Sequence, residues 1–127
     1  RGQTALHIAA GRNCTKVMRL LLDRGARVNA RDVFDATPLH EAASHGSLEA
    51  AVLLLKSGAA IDAKQSDGQT ALFWTAVGGN VKVTRLLLDK GAELNARDYS
   101  ELTPLTYAEA LGKKDIADLL RKEGGKE

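Results

Sequence analysis

The side chains of this 127-residue chain that could act as nucleophiles, proton-transfer groups or zinc ligands are His7, His40, His45 and Cys14. Cys-x-x-Cys and His-x-x-x-His are spacings typical of zinc sites, and neither occurs. The Asp and Glu residues are scattered, and no pair stands out as a general acid and base. The sequence therefore predicts no catalytic site, no metal site and no cofactor.

Cys14 is the only cysteine. A thiol nucleophile would need a nearby histidine base. The place of Cys14 in the repeated pattern described below is filled elsewhere by Ser47, Asn80 and Lys113, and this tolerance of residue type predicts a surface position. Because no disulfide can form within the chain, a cytoplasmic or nuclear location is favoured.

The charge balance argues against two classes of partner. The formal net charge is +2, which is too small to predict binding to nucleic acid or to an anionic membrane surface. The longest apolar run, from Ala50 to Leu55, is far shorter than the roughly 20 residues that span a bilayer. We therefore expect neither a nucleic-acid partner nor membrane insertion.

The elements that would position these side chains come from a repeat with a period of 33 residues. Four threonines mark the period: Thr4, Thr37, Thr70 and Thr103. Each is followed two residues later by a leucine, further on by a pair of leucines, and then by a glycine. The register holds through four units without an insertion.

Each unit is predicted to contain two short helices. Thr37-Pro38 is a strong helix start, since threonine caps free amides and proline suits the first helical position. Gly46 would end that helix in the left-handed conformation. A second helix carries apolar residues at i, i+3 and i+4. Both helices are shorter than the roughly 12–15 residues at which an isolated helix becomes marginal in water, so the units must stack as an all-α solenoid.

The residues of the repeat resemble the ankyrin family. Thr37-Pro-Leu-His40-Glu-Ala42 resembles the signature T-P-L-H-x-A, and Leu86 to Ala96 resembles the tail L-L-x-x-G-A-x-V-N-A. The resemblance implies one domain over residues 1–127, with repeats at about 2–34, 35–67, 68–100 and 101–127. It also implies antiparallel helix pairs joined by β-hairpin-like loops, which we call fingers. His7 and His40 take the motif position and are predicted to be structural, whereas His45 is predicted to be solvated.

Four departures from the motif have expected consequences. Phe73 and Thr106 replace the motif histidine, which puts the threonine–histidine hydrogen bonding in doubt in the third and fourth units. Asp35 and Glu101 replace the glycine of the finger turn, and we expect those two fingers to be less regular.

The last unit differs from the others by its polar substitutions. Glu109 and Arg121 stand where the other units have alanine and leucine, as expected of a C-terminal capping repeat. The first unit keeps its faces apolar and carries no such substitution. We therefore expect the C-terminus to be at or near the end of the stack and further repeats to be missing at the N-terminal side.

The resemblance also implies a concave binding surface made by the fingers and the exposed side of the first helices. On the fingers it comprises Val33, Phe34, Ala36, Ser66, Asp67, Gln69, Tyr99, Ser100 and Leu102. On the first helices it comprises Glu41, Ser44, His45, Trp74, Val77 and Tyr107, with Ile8 and Gly78 beside them.

The aromatic residues favour this surface, because it includes four of the five in the chain, and exposed aromatic side chains often anchor interfaces. Phe34, Trp74 and Tyr99 are the expected anchors. An alternative for Trp74 and Tyr107 is packing against the neighbouring repeat, and Phe73 is expected to be packing. Arg31, Lys64 and Arg97 recur once per repeat beside the fingers, either as a surface that binds acidic groups or as an ordinary feature of the repeat.

These observations predict a module that binds another protein and does not catalyse a reaction. The alternative is a regulatory or tethering segment of a larger enzyme, channel or signalling protein. The chain is expected to be monomeric or a fragment of a longer repeat array.

Overall fold

A computed structural model describes residues 2–127, and this part of the chain contains eight helices and no strand. The helices are α1 (Ala5–Gly11), α2 (Thr15–Asp23), α3 (Pro38–His45), α4 (Leu48–Lys56), α5 (Ala71–Gly78), α6 (Val81–Asp89), α7 (Pro104–Ala110) and α8 (Lys114–Lys122). None of these eight has the length and apolar character needed to cross a membrane. The prediction of an all-α solenoid of helix pairs is confirmed.

The first helix of each unit begins where the motif predicts. Thr37 has an extended backbone, its hydroxyl oxygen accepts a hydrogen bond from the His40 amide, and the His40 ring accepts one from the Thr37 amide. This reciprocal arrangement is a capping box, with the imidazole in the role usually taken by Glu or Gln. At the other end, Gly46 has a φ of 68° and ends α3 in the left-handed conformation.

The helices form two layers. The first helices α1, α3, α5 and α7 pack side by side in chain order, and α2, α4, α6 and α8 form the second layer. Small side chains such as Ala42, Ala43 and Ala76 are fully buried between the first helices, which lets these helices approach closely. Leucines such as Leu54 and Leu87 fill the space between the layers.

Neighbouring fingers are tied together by backbone hydrogen bonds. The Ser66 amide donates to the Phe34 carbonyl at 2.9 Å, which joins the first finger to the second. The Tyr99 amide donates to the Asp67 carbonyl at 2.9 Å, which joins the second finger to the third. The fingers therefore form one continuous surface although no strand is present between residues 2 and 127.

The expectation that the fingers at Asp35 and Glu101 are irregular is wrong. Their φ angles are 61° and 66°, and Gly68 has 84° at the equivalent position of the remaining finger. The turns are held by a carboxylate that precedes them: Asp98 Oδ1 accepts from the amides of Ser100 and Leu102, both at 2.9 Å. Asp32 does the same in the first finger, so these hydrogen bonds hold the left-handed residue in place.

The two replacements of the motif histidine have opposite outcomes. The Thr106 hydroxyl accepts from the Thr103 amide at 2.8 Å, so the fourth unit keeps its capping box. Phe73 has no such acceptor, and the buried hydroxyl of Thr70 has no hydrogen-bond partner within the described residues.

The two ends of the stack present different surfaces. On α2, Val17 is 49% exposed, whereas Val83 at the same position of the third unit is completely buried by the preceding unit. Leu20 is also exposed on this N-terminal face. At the other end, Arg121 forms ion pairs with Glu109 and Asp118.

Candidate partner-binding surface

A cavity of about 360 Å³ lies between the second finger and the helices α3, α5 and α7. Eight of the residues predicted to bind a partner line it: Glu41, Ser44, His45, Asp67, Gln69, Trp74, Val77 and Tyr107. The structure thus brings together residues that lie up to 66 positions apart in the sequence.

The remaining predicted residues lie along the fingers. Val33, Phe34 and Tyr99 are large apolar side chains that are 65%, 52% and 70% exposed. Ser66 and Ser100 are also exposed, and Leu102 is half-buried. The Tyr99 ring lies close against Gly68, where a Cβ atom would come within 2.7 Å of Tyr99 Cδ1.

Three of the residues predicted to lie on the exposed binding surface are buried, which corrects that expectation. Ala36, Glu41 and Gln69 expose less than a tenth of their surface. The carbonyl of Ala36 accepts a hydrogen bond from His7 Nε2 at 2.8 Å, and that of Gln69 accepts one from His40 Nε2 at 3.0 Å. These bonds hold the backbone of the two finger residues inward. Glu41 is buried where its Oε1 accepts a hydrogen bond from Gln3 Nε2 at 2.8 Å.

Trp74 and Tyr107 pack against neighbouring rings and also line the cavity. Both are half-buried, and both line the cavity. The Trp74 ring makes an edge contact with His40 at a centroid distance of 5.4 Å, and the Tyr107 ring contacts Phe73 at 6.1 Å. Phe73 is fully buried, as expected of a packing residue.

His40 orients this part of the surface as a neutral ring. Its Nδ1 accepts from the Thr37 amide while its Nε2 donates to the Gln69 carbonyl, which fixes one tautomer. Burial lowers the pKa of His40 below its ordinary value, and the charge of Arg31 adds to this effect although the Gln69 hydrogen bond opposes it. The ring is therefore a structural support and not a proton-transfer group.

A polar network behind the cavity includes one residue that the sequence analysis missed, Gln65. Gln65 Nε2 donates to Asp67 Oδ1 at 2.8 Å, and the Gln69 amide donates to the same oxygen at 2.9 Å. Gln69 Nε2 reaches Asp98 Oδ2 of the next finger at 3.0 Å. The available signal was that Gln65 stands where the other two fingers have Asp32 and Asp98.

Two of the three recurring basic residues are engaged within the chain. Arg31 donates through Nη1 to the carbonyls of Asp35 and Lys64, at 2.9 and 2.6 Å. Arg97 donates to the Glu101 carbonyl at 3.0 Å. Each arginine thus holds the turn of its own finger, which favours the structural interpretation of these positions.

The residues considered for chemistry are His7 and His40, which are buried in α1 and α3, and His45 and Cys14, which are exposed. His45 is exposed at the end of α3, where its Nδ1 lies 3.0 Å from the Glu41 carbonyl oxygen and 3.1 Å from Ser44 Oγ. Cys14 is free and exposed before α2. Within residues 2–127 no three His, Cys, Asp or Glu side chains are grouped so that they could hold a metal ion.

Comparison with known proteins identifies the repeat. A family model described as ankyrin repeats (3 copies) matches residues 1–65 and 39–127. No curated protein matches the chain significantly. Ankyrin repeats are generally protein–protein interaction modules and are typically non-enzymatic.

Proposed function

Because this chain belongs to the ankyrin-repeat family, we propose that it binds a partner protein through the concave surface formed by its fingers and first helices. The observation that carries the proposal is the exposure of Val33 and Phe34 on the first finger and of Tyr99 on the third, on either side of the cavity. Large apolar side chains exposed together on one surface of a folded domain are typical of interaction sites. The free Cys14 supports a partner in the cytoplasm or nucleus.

The rigidity of the surface supports binding. The backbone hydrogen bonds from Ser66 to Phe34 and from Tyr99 to Asp67 already hold the fingers in place. Arg31 adds a bridge from the first finger to the second. A surface that is ordered before association loses little conformational entropy on binding, so more of the contact energy contributes to affinity.

The anchors have distinct positions on the surface. Phe34 and Tyr99 project from the first and third fingers, and Trp74 lines the cavity that lies between the second finger and α5. Aromatic side chains at the centre of an interface commonly contribute 2 kcal/mol or more, that is about 30-fold in affinity each.

The test is affinity capture from a cell lysate with identification by mass spectrometry, comparing the chain with its Phe34→Ala, Trp74→Ala, Tyr99→Ala variant. The control is Val81→Ala, Leu111→Ala, which removes exposed apolar side chains that do not lie on the proposed surface. We expect the parent and the control to retain a protein that the triple variant loses. Circular dichroism should show that all three chains remain helical. Equal capture by the triple variant would exclude this surface.

The N-terminal face supports a second candidate function, the tethering or regulation of a neighbouring domain. Val17 and Leu20 are about half exposed there. The variant Val17→Lys, Leu20→Lys distinguishes the two functions. If this variant loses the captured protein while the triple aromatic variant keeps it, the tethering function is supported. If it captures as the parent does, the N-terminal face is not the site.

A further inference from the structure

The cavity between the second finger and α5 combines acidic and aromatic walls. The carboxylates of Glu41 and Asp67 and the rings of Trp74 and Tyr107 all line it. Among the described residues that line it, none is lysine or arginine, and His45 is the only group that could become cationic. Glu41 is buried and accepts a hydrogen bond from Gln3 Nε2 at 2.8 Å, so the carboxylate that is open to a ligand is that of the exposed Asp67.

Gln65 supports Asp67 from beneath the cavity. Gln65 is 7% exposed, and its Nε2 donates to Asp67 Oδ1 at 2.8 Å. Its Oε1 is buried and has no hydrogen-bond partner within the described residues, so this oxygen is not open to a ligand. Gln65 therefore acts on a ligand only through the position of Asp67.

Asp67 offers an acceptor that a ligand can reach. Both of the hydrogen bonds that the Asp67 side chain accepts, from Gln65 Nε2 and from the Gln69 amide, end on Oδ1. Asp67 is exposed at the edge of the cavity, so a ligand that enters the cavity can reach its carboxylate. A carboxylate held in this way by the backbone of its own finger is preorganised for a charged donor.

The aromatic wall favours a planar cation. Trp74 is fixed by its edge contact with His40, and the Tyr107 ring is fixed by its contact with Phe73. A cation is attracted to the face of a Trp ring, and guanidinium combines stacking with several donors in one plane. An ammonium group has no flat face for stacking.

We propose that this cavity receives an arginine side chain of the partner protein, with the guanidinium between Trp74 and the Asp67 carboxylate. The proposal rests on the proposed function, since it names the chemistry of the partner at that same surface. It makes the cavity the charged centre of an interface whose apolar anchors, Phe34 and Tyr99, lie on the fingers to either side.

The test uses N-acetyl-arginine amide as the probe, titrated into the full chain and followed by two-dimensional ¹H–¹⁵N NMR. We expect saturable shifts of the Trp74 indole N–H and the Gln65 side-chain amide. Two further probes are matched to it: N-acetyl-citrulline amide has the same shape without charge, and N-acetyl-lysine amide has charge without the planar group. Each should bind at least about fivefold more weakly.

Two variants complete the design. Asp67→Asn keeps an oxygen that can accept the Gln69 amide and removes the charge, and it should weaken arginine binding by about tenfold. Asp115→Asn makes the same change on α8 outside this cavity and should leave binding unchanged. The NMR spectra also report whether each variant is folded.

The outcomes separate the two proposals. Shifts that do not saturate, equal binding of citrulline, or an unaffected Asp67→Asn variant would overturn the arginine site. Equal binding of the lysine probe would overturn the choice of guanidinium. If the triple aromatic variant still loses its captured protein in any of these cases, the proposed function stands while this inference fails.

Discussion

At the scale of single residues, the motif threonines show how one hydrogen bond distinguishes otherwise equivalent units. Thr37 and Thr103 cap their helices and are satisfied, whereas the Thr70 hydroxyl is buried without a partner because Phe73 replaces the histidine. The third unit instead gains a fully buried aromatic ring that contacts Tyr107. A polar interaction has thus been exchanged for apolar packing next to the candidate cavity.

This difference predicts opposite effects of one substitution. Thr70→Val keeps the shape and removes an unpartnered hydroxyl, so the free energy of unfolding should stay the same or rise by about 1 kcal/mol. Thr37→Val removes a working cap and should lower it by about 1–2 kcal/mol. Urea denaturation of the two variants measures both values, and a loss at position 70 equal to that at position 37 would contradict the structure.

His40 makes stability depend on pH. Since its pKa in the folded chain is lowered from the ordinary 6.5, the unfolded chain takes up the proton first as the pH falls. Stability should therefore decrease on acidification from pH 6.5 towards the lower folded pKa and change no further from this group below it. Above 6.5 the ring is neutral in both states and contributes no pH dependence.

The measurement is urea denaturation of the parent and of His40→Gln between about pH 7 and pH 5. Glutamine suits the capping-box position and does not titrate, so the difference between the two chains isolates His40 from the other histidines. The parent should lose more stability on acidification than the variant. Parallel pH profiles would show that His40 does not carry this effect.

At the scale of elements, the fingers show that side-chain hydrogen bonds can replace glycine. Asp35 and Glu101 adopt positive φ angles that cost a residue with a side chain roughly 1–2 kcal/mol. Asp32 and Asp98 offset this cost by binding two amides each across the turn. Arg31 and Arg97 also bind the carbonyls of these two left-handed residues.

Glu101→Gly should therefore stabilise the chain by about 0.5–1 kcal/mol. Glycine adopts the positive φ without strain, but it also gives the unfolded chain more conformational entropy, which cancels part of this stabilisation. The equivalent substitution in the opposite direction, Gly68→Ala, should destabilise it. There φ is 84°, and the new Cβ would lie 2.7 Å from Tyr99 Cδ1. Thermal unfolding of both variants tests this, and a fall in Tm for Glu101→Gly would contradict it.

At the scale of the whole molecule, burial depends on which neighbour a repeat has. Val17 and Val83 are the same residue at the same helical position, yet one is 49% exposed and the other fully buried. The second unit precedes the third and packs against it, whereas no unit precedes the first within the described residues.

Valine-to-alanine substitution should report this difference directly. Val83→Ala should cost about 2–3 kcal/mol through lost burial and a cavity, whereas Val17→Ala should change stability by less than about 0.5 kcal/mol. Helix propensity changes equally in both and cancels. Chemical denaturation of the two variants makes the comparison, and equal losses would show that the N-terminal face is covered in solution.

Local features of the sequence were sufficient for the fold. The Thr-Pro starts, the glycine ends and the period of 33 residues predict all eight helices, because capping and amphipathic periodicity act within a few residues. The placement of Phe34 and Tyr99 on the fingers came instead from the resemblance to the ankyrin family, and both side chains are exposed.

The tertiary structure decided which of the predicted residues are exposed. Ala36 and Gln69 are drawn inward by histidines 29 positions away, a distance at which no local pattern operates. Gln65 enters the site only through its bonds to a folded finger. Cys14 is exposed as predicted, but the equivalent Ser47 is buried and donates to the Gly11 carbonyl of the preceding unit. Whether a residue at this position is exposed therefore depends on the repeat that packs against it, and this is decided only when the repeats stack.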